Sequence, residues 1–190
     1  MNKLKSTIAL ASIIALSFAC EQKAKESNEE MNQEGMELNE ATNSGVEKIS
    51  SNNVTITFSD PNVTKITEAY LTLKDELVAT NGEKAKEAAK SLLMILKNSD
   101  TQTKESLKIE VEAIANTTDP EVQRVVFDLV SQQILVLVKS AIVTEGKLYK
   151  QYCPMAKNNE GAFWLSASDQ IRNPYFGDKM LNCGSVEEEI

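Results

Sequence analysis

The chain has 190 residues, 42% of them hydrophobic, and a formal net charge of −8 at pH 7. It contains no histidine, which excludes Ser-His-Asp and Cys-His catalysis and every metal site built on imidazole. An acidic chain repels phosphate backbones, so the charge argues against nucleic acid as a partner. The length suits one domain joined to a tether.

The first 19 residues have the pattern of an export signal. A short basic region precedes an apolar run at residues 8–18, and Ala19-Cys20 resembles a bacterial lipobox. The apolar run is shorter than the roughly 20 residues that a membrane-spanning helix needs. We therefore expect cleavage before Cys20, lipid attachment to Cys20, and a cell-envelope lipoprotein facing the periplasm from the inner or outer membrane. The alternative is an ordinary cleaved signal that leaves Cys20 as a free thiol.

Residues 20–53 predict a disordered tether. Ser, Asn, Gln and Glu dominate this stretch, and such a composition offers almost nothing to bury against the entropy cost of ordering. Loss of Lys3 and Lys5 with the signal would take the net charge from −8 to −10.

Residues 54–190 predict a single, mainly α domain. Residues 54–58 alternate apolar and polar side chains, but a lone strand is poorly stable, so we expect an extended lead-in. Helical spacing and cap residues predict four helices, at about residues 62–79, 82–98, 103–116 and 120–143. Short links between them favour a four-helix up-and-down bundle. An αα-hairpin pair with a separate tail is the alternative.

The fourth helix has the clearest start signal, an aspartate N-cap at Asp119 followed by Pro120. Residues 134–138 are all apolar, so this part of the helix has no polar face, which predicts that it is buried on two sides. The side chains expected to point inward are Val122, Val125, Val126, Leu129, Ile134, Leu137 and Val138.

The tail, residues 147–190, predicts an irregular, turn-rich segment. Trp164 and Tyr175 are expected to fill the core, and residues 187–189, three glutamates, to form a solvated end. Charged residues on the helices are expected on solvated faces, namely residues 74–76 and the pair Glu110 and Glu112. We do not expect them to form a catalytic acid–base pair, because such a pair needs burial and convergent geometry.

Four side chains in the tail contain sulfur and are the candidate metal ligands of the chain. Cys153 and Met155 flank a proline, and Met180 and Cys183 lie three residues apart. Two thiolates and two thioethers would make a low-coordinate site for Cu(I) or Ag(I). The alternative is a Cys153–Cys183 disulfide with the methionines as packing residues.

Residues from about 69 to 186 resemble a family of unknown function, DUF3347. The resemblance rests on YLTLKDELV at 70–78, CPMA at 153–156, GAFWLS at 161–166, IRNPYFG at 171–177 and MLNCG at 180–184. It implies an exported protein of the Bacteroidota. It also implies kinship with domains fused to heavy-metal efflux adaptors that resemble CusB, and hence a role in copper or silver handling. Ala156 stands where partner modules of that family often carry a histidine.

Two functions follow as hypotheses. The first is a lipid-anchored domain that binds or transfers Cu(I) or Ag(I) through Cys153, Met155, Met180 and Cys183, in association with an efflux system. The second is a non-catalytic interaction or scaffold domain with a Cys153–Cys183 disulfide, facing another envelope protein. The sequence lacks nucleotide-binding and metal-hydrolase motifs, so we expect no enzymatic activity and no cofactor beyond the soft metal.

Overall fold

A computed structural model describes residues 56–99 and 105–190. The predicted signal at 1–19, the predicted lipid attachment site Cys20 and the whole predicted tether at 20–53 lie outside this described part, as does the start predicted for the third helix. In the described ranges no helix is long and apolar enough to cross a membrane.

Four long helices make up most of the fold, as predicted for a mainly helical chain. Asp60 and Asp119 cap the first and last of them by accepting hydrogen bonds from the backbone amides two residues on, and each is followed by proline. Asn81 caps the second by accepting from Lys84 N. The helices are α1 (Pro61–Val78), α2 (Gly82–Asn98), α3 (Glu105–Ala115) and α4 (Pro120–Lys139).

The core lies among these helices and one face of the tail. Successive helices contact one another, and α1 also contacts α4. Each helix contributes an apolar face at helical spacing, and the buried side chains of the first three include Ile66, Tyr70, Leu73, Leu77, Ala85, Ala89, Leu92, Leu96, Leu107, Val111 and Ile114.

The stretch after α4 is a strand rather than the predicted last turn of a helix. β1 (Thr57–Phe58) pairs antiparallel with β2 (Val143–Glu145), and Phe58 lies opposite Val143. The prediction of a helix to residue 143 was therefore wrong by four residues. The expected extended lead-in is a short strand, because a partner from the far end of the helical region supplies the ladder that a lone strand lacks.

The tail contains an antiparallel sheet that the prediction of an irregular segment missed, whereas residues 167–184 are turns and loop, as predicted. The strands are β3 (Tyr149–Cys153), β4 (Ala162–Ser166) and β5 (Ser185–Glu189), in the order β4-β3-β5. A one-turn segment at Ala156–Asn159 links β3 to β4, and a 3₁₀ turn at Gly177–Lys179 precedes β5. β3 is central and places Gln151 and Cys153 on the buried face.

The three glutamates of β5 lie largely at the surface, as predicted, but each forms an ion pair with a lysine. Glu187 pairs with Lys150 and Glu188 with Lys139, both at 2.8 Å between nitrogen and oxygen. Glu189 pairs with Lys147. These ion pairs cover an edge strand with charge, which disfavours edge-to-edge pairing with other chains.

The inward face of α4 differs from the predicted one. Val122, Val125 and Leu129 are exposed, and so is Val136, which contradicts burial of residues 134–138 on two sides. Ile134 and Val138 face the core as predicted, and Val126 and Leu137 are partly buried against it. Phe127 and Val130, which the prediction left out, also face the core. Their neighbours on the buried face are polar, namely Gln123, Arg124, Asp128 and Ser131. The helix turns this face inward because other parts of the chain supply each of these four side chains with at least one partner. The side-chain oxygen of Gln123 is buried without one.

Candidate functional site

The predicted sulfur site is centred on a disulfide. Cys153, at the end of β3, is fully buried and bonded to half-buried Cys183, which lies just before β5. Their Cα atoms are 5.8 Å apart, within the usual range for such a bond. The structure thus brings the two cysteines together in the oxidised form that the sequence left as an alternative.

The two methionines differ in where they lie relative to the disulfide. Met180 shares a turn with Cys183, because the amide of Cys183 donates to the carbonyl of Met180 at 3.1 Å, and its side chain is half-buried. Met155 begins the turn after β3, and 46% of its surface is exposed. The structure places Met180 on the same short turn as one cysteine, and Met155 at the surface.

Asn173 shapes the loop that carries Cys183. Its side-chain oxygen accepts from the amides of Tyr175 and Phe176, and its side-chain nitrogen donates to the carbonyl of Cys183 at 2.8 Å. Its own amide donates to the carbonyl of Leu181. This buried asparagine forms hydrogen bonds both to the turn that follows it and to Cys183, ten residues further along the chain. It therefore holds Cys183 in place.

Three polar contacts hold the tail against the helices. The hydroxyl of Tyr70 accepts from the amide of Leu165 in β4 at 3.0 Å. Arg124 donates from Nε to the carbonyl of Pro174 at 2.8 Å. Lys157, in the turn after β3, pairs with buried Asp128 at 2.8 Å. The position of the disulfide is therefore coupled to α1 and α4.

Arg124 is the most connected of these side chains. One terminal nitrogen donates to the carbonyl of Leu77 and to the hydroxyl of Thr80, at 3.0 and 2.9 Å, and the other pairs with Glu121. A guanidinium offers five donors in a planar fork, and here they join α1, α4 and the tail.

An aromatic cluster fills the space between sheet and helices. Tyr70 stacks on Phe127 at 5.3 Å between ring centroids, and Phe127 meets Tyr175 at 5.8 Å. Tyr175 meets Trp164 edge-on at 6.1 Å. Trp164 is fully buried and Tyr175 nearly so, which confirms their predicted packing role.

Burial controls the ionisation of the two tyrosines. It raises the pKa of Tyr70, and more weakly so does the nearby charge of Asp128. Burial also raises the pKa of Tyr175, followed by the influence of Tyr70 and Asp128. Both phenols are therefore neutral near physiological pH, where their hydroxyls act as hydrogen-bonding groups.

Two charged positions predicted to be solvated are partly enclosed. Lys74 is only 6% exposed, and its ammonium pairs with Asp75, so the prediction of a solvated lysine was wrong. Its long apolar stem can lie against the core while the head reaches the helix surface. Glu110 accepts from Gln133 of α4, and partial burial raises its pKa. Glu112 is exposed, as predicted.

Sequence reasoning missed the polar groups that bind the tail to the helices, above all Arg124, Asp128 and Asn173. A signal was present in α4, where two charged residues occur in an otherwise uncharged, mostly apolar stretch between Glu121 and Lys139. Charged residues are rarely buried without partners, and the partners here come from residues 29 to 50 positions away.

The donor set fits a soft metal only in the reduced state. A disulfide has no thiolate to offer, whereas reduction would leave two thiols on residues whose Cα atoms are 5.8 Å apart, with Met180 on the same turn as Cys183. In residues 56–99 and 105–190 no three side chains among cysteine, aspartate and glutamate are grouped as metal ligands.

Comparison with known proteins gives a family match over part of the chain. Residues 66–146 match the family described as "Protein of unknown function (DUF3347)", which confirms the resemblance from within α1 to just past β2. The match ends before Cys153, so the resemblance of the tail stays a prediction. No curated protein and no solved structure matches the chain.

Proposed function

We propose that this DUF3347-type chain is a non-catalytic interaction domain of the cell envelope, closed by the Cys153–Cys183 disulfide. The observation that carries the proposal is that bond, which ties the buried central strand to the segment before β5. Disulfides persist in oxidising compartments such as the periplasm, which agrees with the predicted export signal. The scaffold in this proposal is a four-helix up-and-down bundle, supported by contacts between successive helices and between α1 and α4.

The proposed location and partner rest on the predicted lipobox and on the family resemblance. Lipid on Cys20 and a tether through residue 53 would hold the domain near the membrane. The proposed partner is a heavy-metal efflux adaptor resembling CusB in a bacterium of the Bacteroidota. This part of the proposal is an analogy with the domain arrangements of the family.

The second candidate function is transfer of Cu(I) or Ag(I) by the reduced protein. It is favoured by the 5.8 Å separation of the cysteine Cα atoms and by the turn that joins Met180 to Cys183. Exposed Met155 would be the fourth ligand. Binding would release protons from the thiols and so strengthen as pH rises.

The two functions are separated by a thiol count and a metal titration. Protein purified without reductant is denatured and its free thiols are counted. Cu(I) is then titrated against a competing chelator, before and after phosphine reduction of the disulfide to two thiols. The interaction function predicts no free thiol at Cys153 or Cys183 and no Cu(I) uptake in either state. Free thiols with tight 1:1 binding in the protein as purified would overturn it.

Paired methionine variants identify the ligands if the reduced protein takes up Cu(I). Met180→Leu should weaken binding at least tenfold if its thioether is a ligand. Met94→Leu is the matched control, since Met94 is a methionine on the exposed face of α2. Equal affinity of both variants would exclude Met180 as a ligand and contradict the four-sulfur site.

A further inference from the structure

The two cysteines of the disulfide differ in their access to solvent. Cys153 is fully buried, whereas Cys183 is half-buried. A disulfide is exchanged when a thiolate attacks one of its two sulfur atoms and the other sulfur leaves. Because no part of Cys153 reaches the surface, an external thiolate can attack the disulfide of the folded protein only at the sulfur of Cys183. Cys153 is then the leaving group.

Hydrogen bonds hold Cys183 in place independently of the disulfide. The side chain of buried Asn173 donates to the carbonyl of Cys183 at 2.8 Å, and the amide of Cys183 donates to the carbonyl of Met180 at 3.1 Å. Asn173 is itself fixed, because its side-chain oxygen accepts from the amides of Tyr175 and Phe176. None of these bonds needs the covalent link to β3, so they can persist when the disulfide is reduced.

The segment that follows Cys183 is also held against the central strand. Gly184 has φ +143°, and a Cβ atom there would lie 2.8 Å from the carbonyl oxygen of Tyr152 and 2.9 Å from the ring of Trp164. Glycine therefore lets the chain approach β3 this closely. Directly after it, Ser185 pairs with Tyr152 in the ladder between β5 and β3. The fold thus holds both sides of this cysteine against the strand that carries the other one.

We propose that Cys153 and Cys183 form a reversible dithiol–disulfide couple that exchanges with an external dithiol and reacts at Cys183. The inference rests on the disulfide of the proposed function. A thiolate of the dithiol attacks Sγ of Cys183, the S–S bond breaks, and Cys153 leaves as a thiolate that takes up a proton. The second thiol of the dithiol then attacks the first one's sulfur in the mixed disulfide and releases Cys183 as a thiol. Two electrons and two protons thereby pass from the dithiol to the cysteine pair.

The fixed positions of the two cysteines favour a dithiol over a monothiol as the reaction partner. After attack by a monothiol, the released thiolate of Cys153 stays beside Cys183 and expels the monothiol again. A flexible chain brings two groups together at an effective concentration in the millimolar range, and groups that a fold holds in place reach far higher values. A dithiol escapes this reversal, because its second thiol completes the exchange within the mixed disulfide.

The full chain with Cys20→Ser tests the proposal, because Cys153 and Cys183 are then its only cysteines. The pair is equilibrated with reduced and oxidised glutathione, in buffer and in urea, and the oxidised fraction gives the effective concentration of the two thiols. The value in buffer should exceed the value in urea by about 100-fold or more. Equal values would overturn the proposal, and so would loss of the native circular dichroism spectrum on reduction. Equal reduction of the folded pair by dithiothreitol and by glutathione at the same thiol concentration would also overturn it.

Asn173→Asp tests the positioning of Cys183. Aspartate keeps an oxygen acceptor for the two amides that follow but removes the donor to the carbonyl of Cys183. The effective concentration should fall about tenfold, the equivalent of one lost hydrogen bond. Asn182→Asp is the matched control, since it adds the same charge next to Cys183 at an exposed position and should leave the value nearly unchanged. Equal values for the two variants would contradict the proposal.

The reacting sulfur is mapped directly, without a variant at Asn173. The reduced chain is mixed briefly with oxidised glutathione, quenched with acid and digested, and mass spectrometry locates the glutathione adduct. The adduct should lie on Cys183, and in Cys153→Ala it should accumulate there because no second thiol removes it. An adduct mainly on Cys153 would overturn the proposal. A thiol count that finds no disulfide in the purified protein would refute the proposed function as well, whereas the other contrary outcomes leave that function intact.

Discussion

At the scale of single residues, the fold depends on a few buried polar side chains with long-range partners. Arg124 is 4% exposed and donates to carbonyls of Leu77 and Pro174 and to the hydroxyl of Thr80. Those two carbonyl acceptors belong to the end of α1 and to the tail. Because a buried acceptor that loses its donor keeps its desolvation cost, a change at Arg124 should affect three parts of the fold together.

Replacing Arg124 by methionine should lower the free energy of unfolding by about 3 kcal/mol, since methionine retains the apolar stem but leaves buried carbonyls unpaired. Urea unfolding followed by circular dichroism measures the change. Lys179→Met is the control: Lys179 is a cation that also pairs with Glu121 but is exposed, so its loss should cost less than about 1 kcal/mol. Similar values for the two variants would show that the buried network contributes little.

At the scale of elements, α2 begins in direct contact with the segment that leads into α4. The carbonyl of Gly82 accepts from the side chain of Gln123 at 2.9 Å, and the same nitrogen donates to the carbonyl of Thr117 at 2.8 Å. A Cβ atom on Gly82 would lie 1.9 Å from the carbonyl oxygen of Thr118. The absence of a side chain at Gly82 is what lets these two segments approach.

Gly82→Ala should therefore destabilise the protein by about 2 kcal/mol through overpacking against backbone. Helix propensity alone predicts the opposite, because alanine in place of a helical glycine should raise the free energy of unfolding by about 0.5–1 kcal/mol. Thermal unfolding distinguishes the two. Ser91→Ala, at an exposed position within the same helix, should stay within about 0.5 kcal/mol of the parent. A stabilised Gly82→Ala variant would mean that the α2 and α4 starts are further apart than described.

At the scale of the whole molecule, the disulfide connects the tail to itself across 30 residues and the polar contacts connect the tail to the helices. A cross-link of this loop length restricts the unfolded chain and should contribute about 3–4 kcal/mol. Cys153 is also fully buried, so the bond lies within the core.

The double variant Cys153→Ala with Cys183→Ala should unfold with a free energy about 3–4 kcal/mol lower than the parent. A reductant should lower the unfolding temperature of the parent and leave that of the double variant unchanged. Calorimetry with and without phosphine measures both effects. An equal response of the two proteins to reductant would show that the bond does not stabilise the fold.

Local signals in the sequence predicted the helices well. The bounds of α2 match the prediction at both ends, those of α1 differ by one residue, and α4 begins at Pro120 as its cap and proline predict. Apolar spacing and cap chemistry act within one or two turns of a helix, so they can be read without knowing what lies nearby in space. The sequence also identified Cys153 and Cys183 as partners, in either of two chemical states.

What the tertiary structure alone decided is the tail and the orientation of α4. The sheet β4-β3-β5 and the pairing of β1 with β2 join residues far apart in the chain, and local patterns do not encode such pairing. α4 has two apolar faces, and the residues of each face recur at helical spacing. The choice between them came from Pro174, Lys157 and Tyr70, which satisfy Arg124, Asp128 and Ser131 only when those side chains point inward.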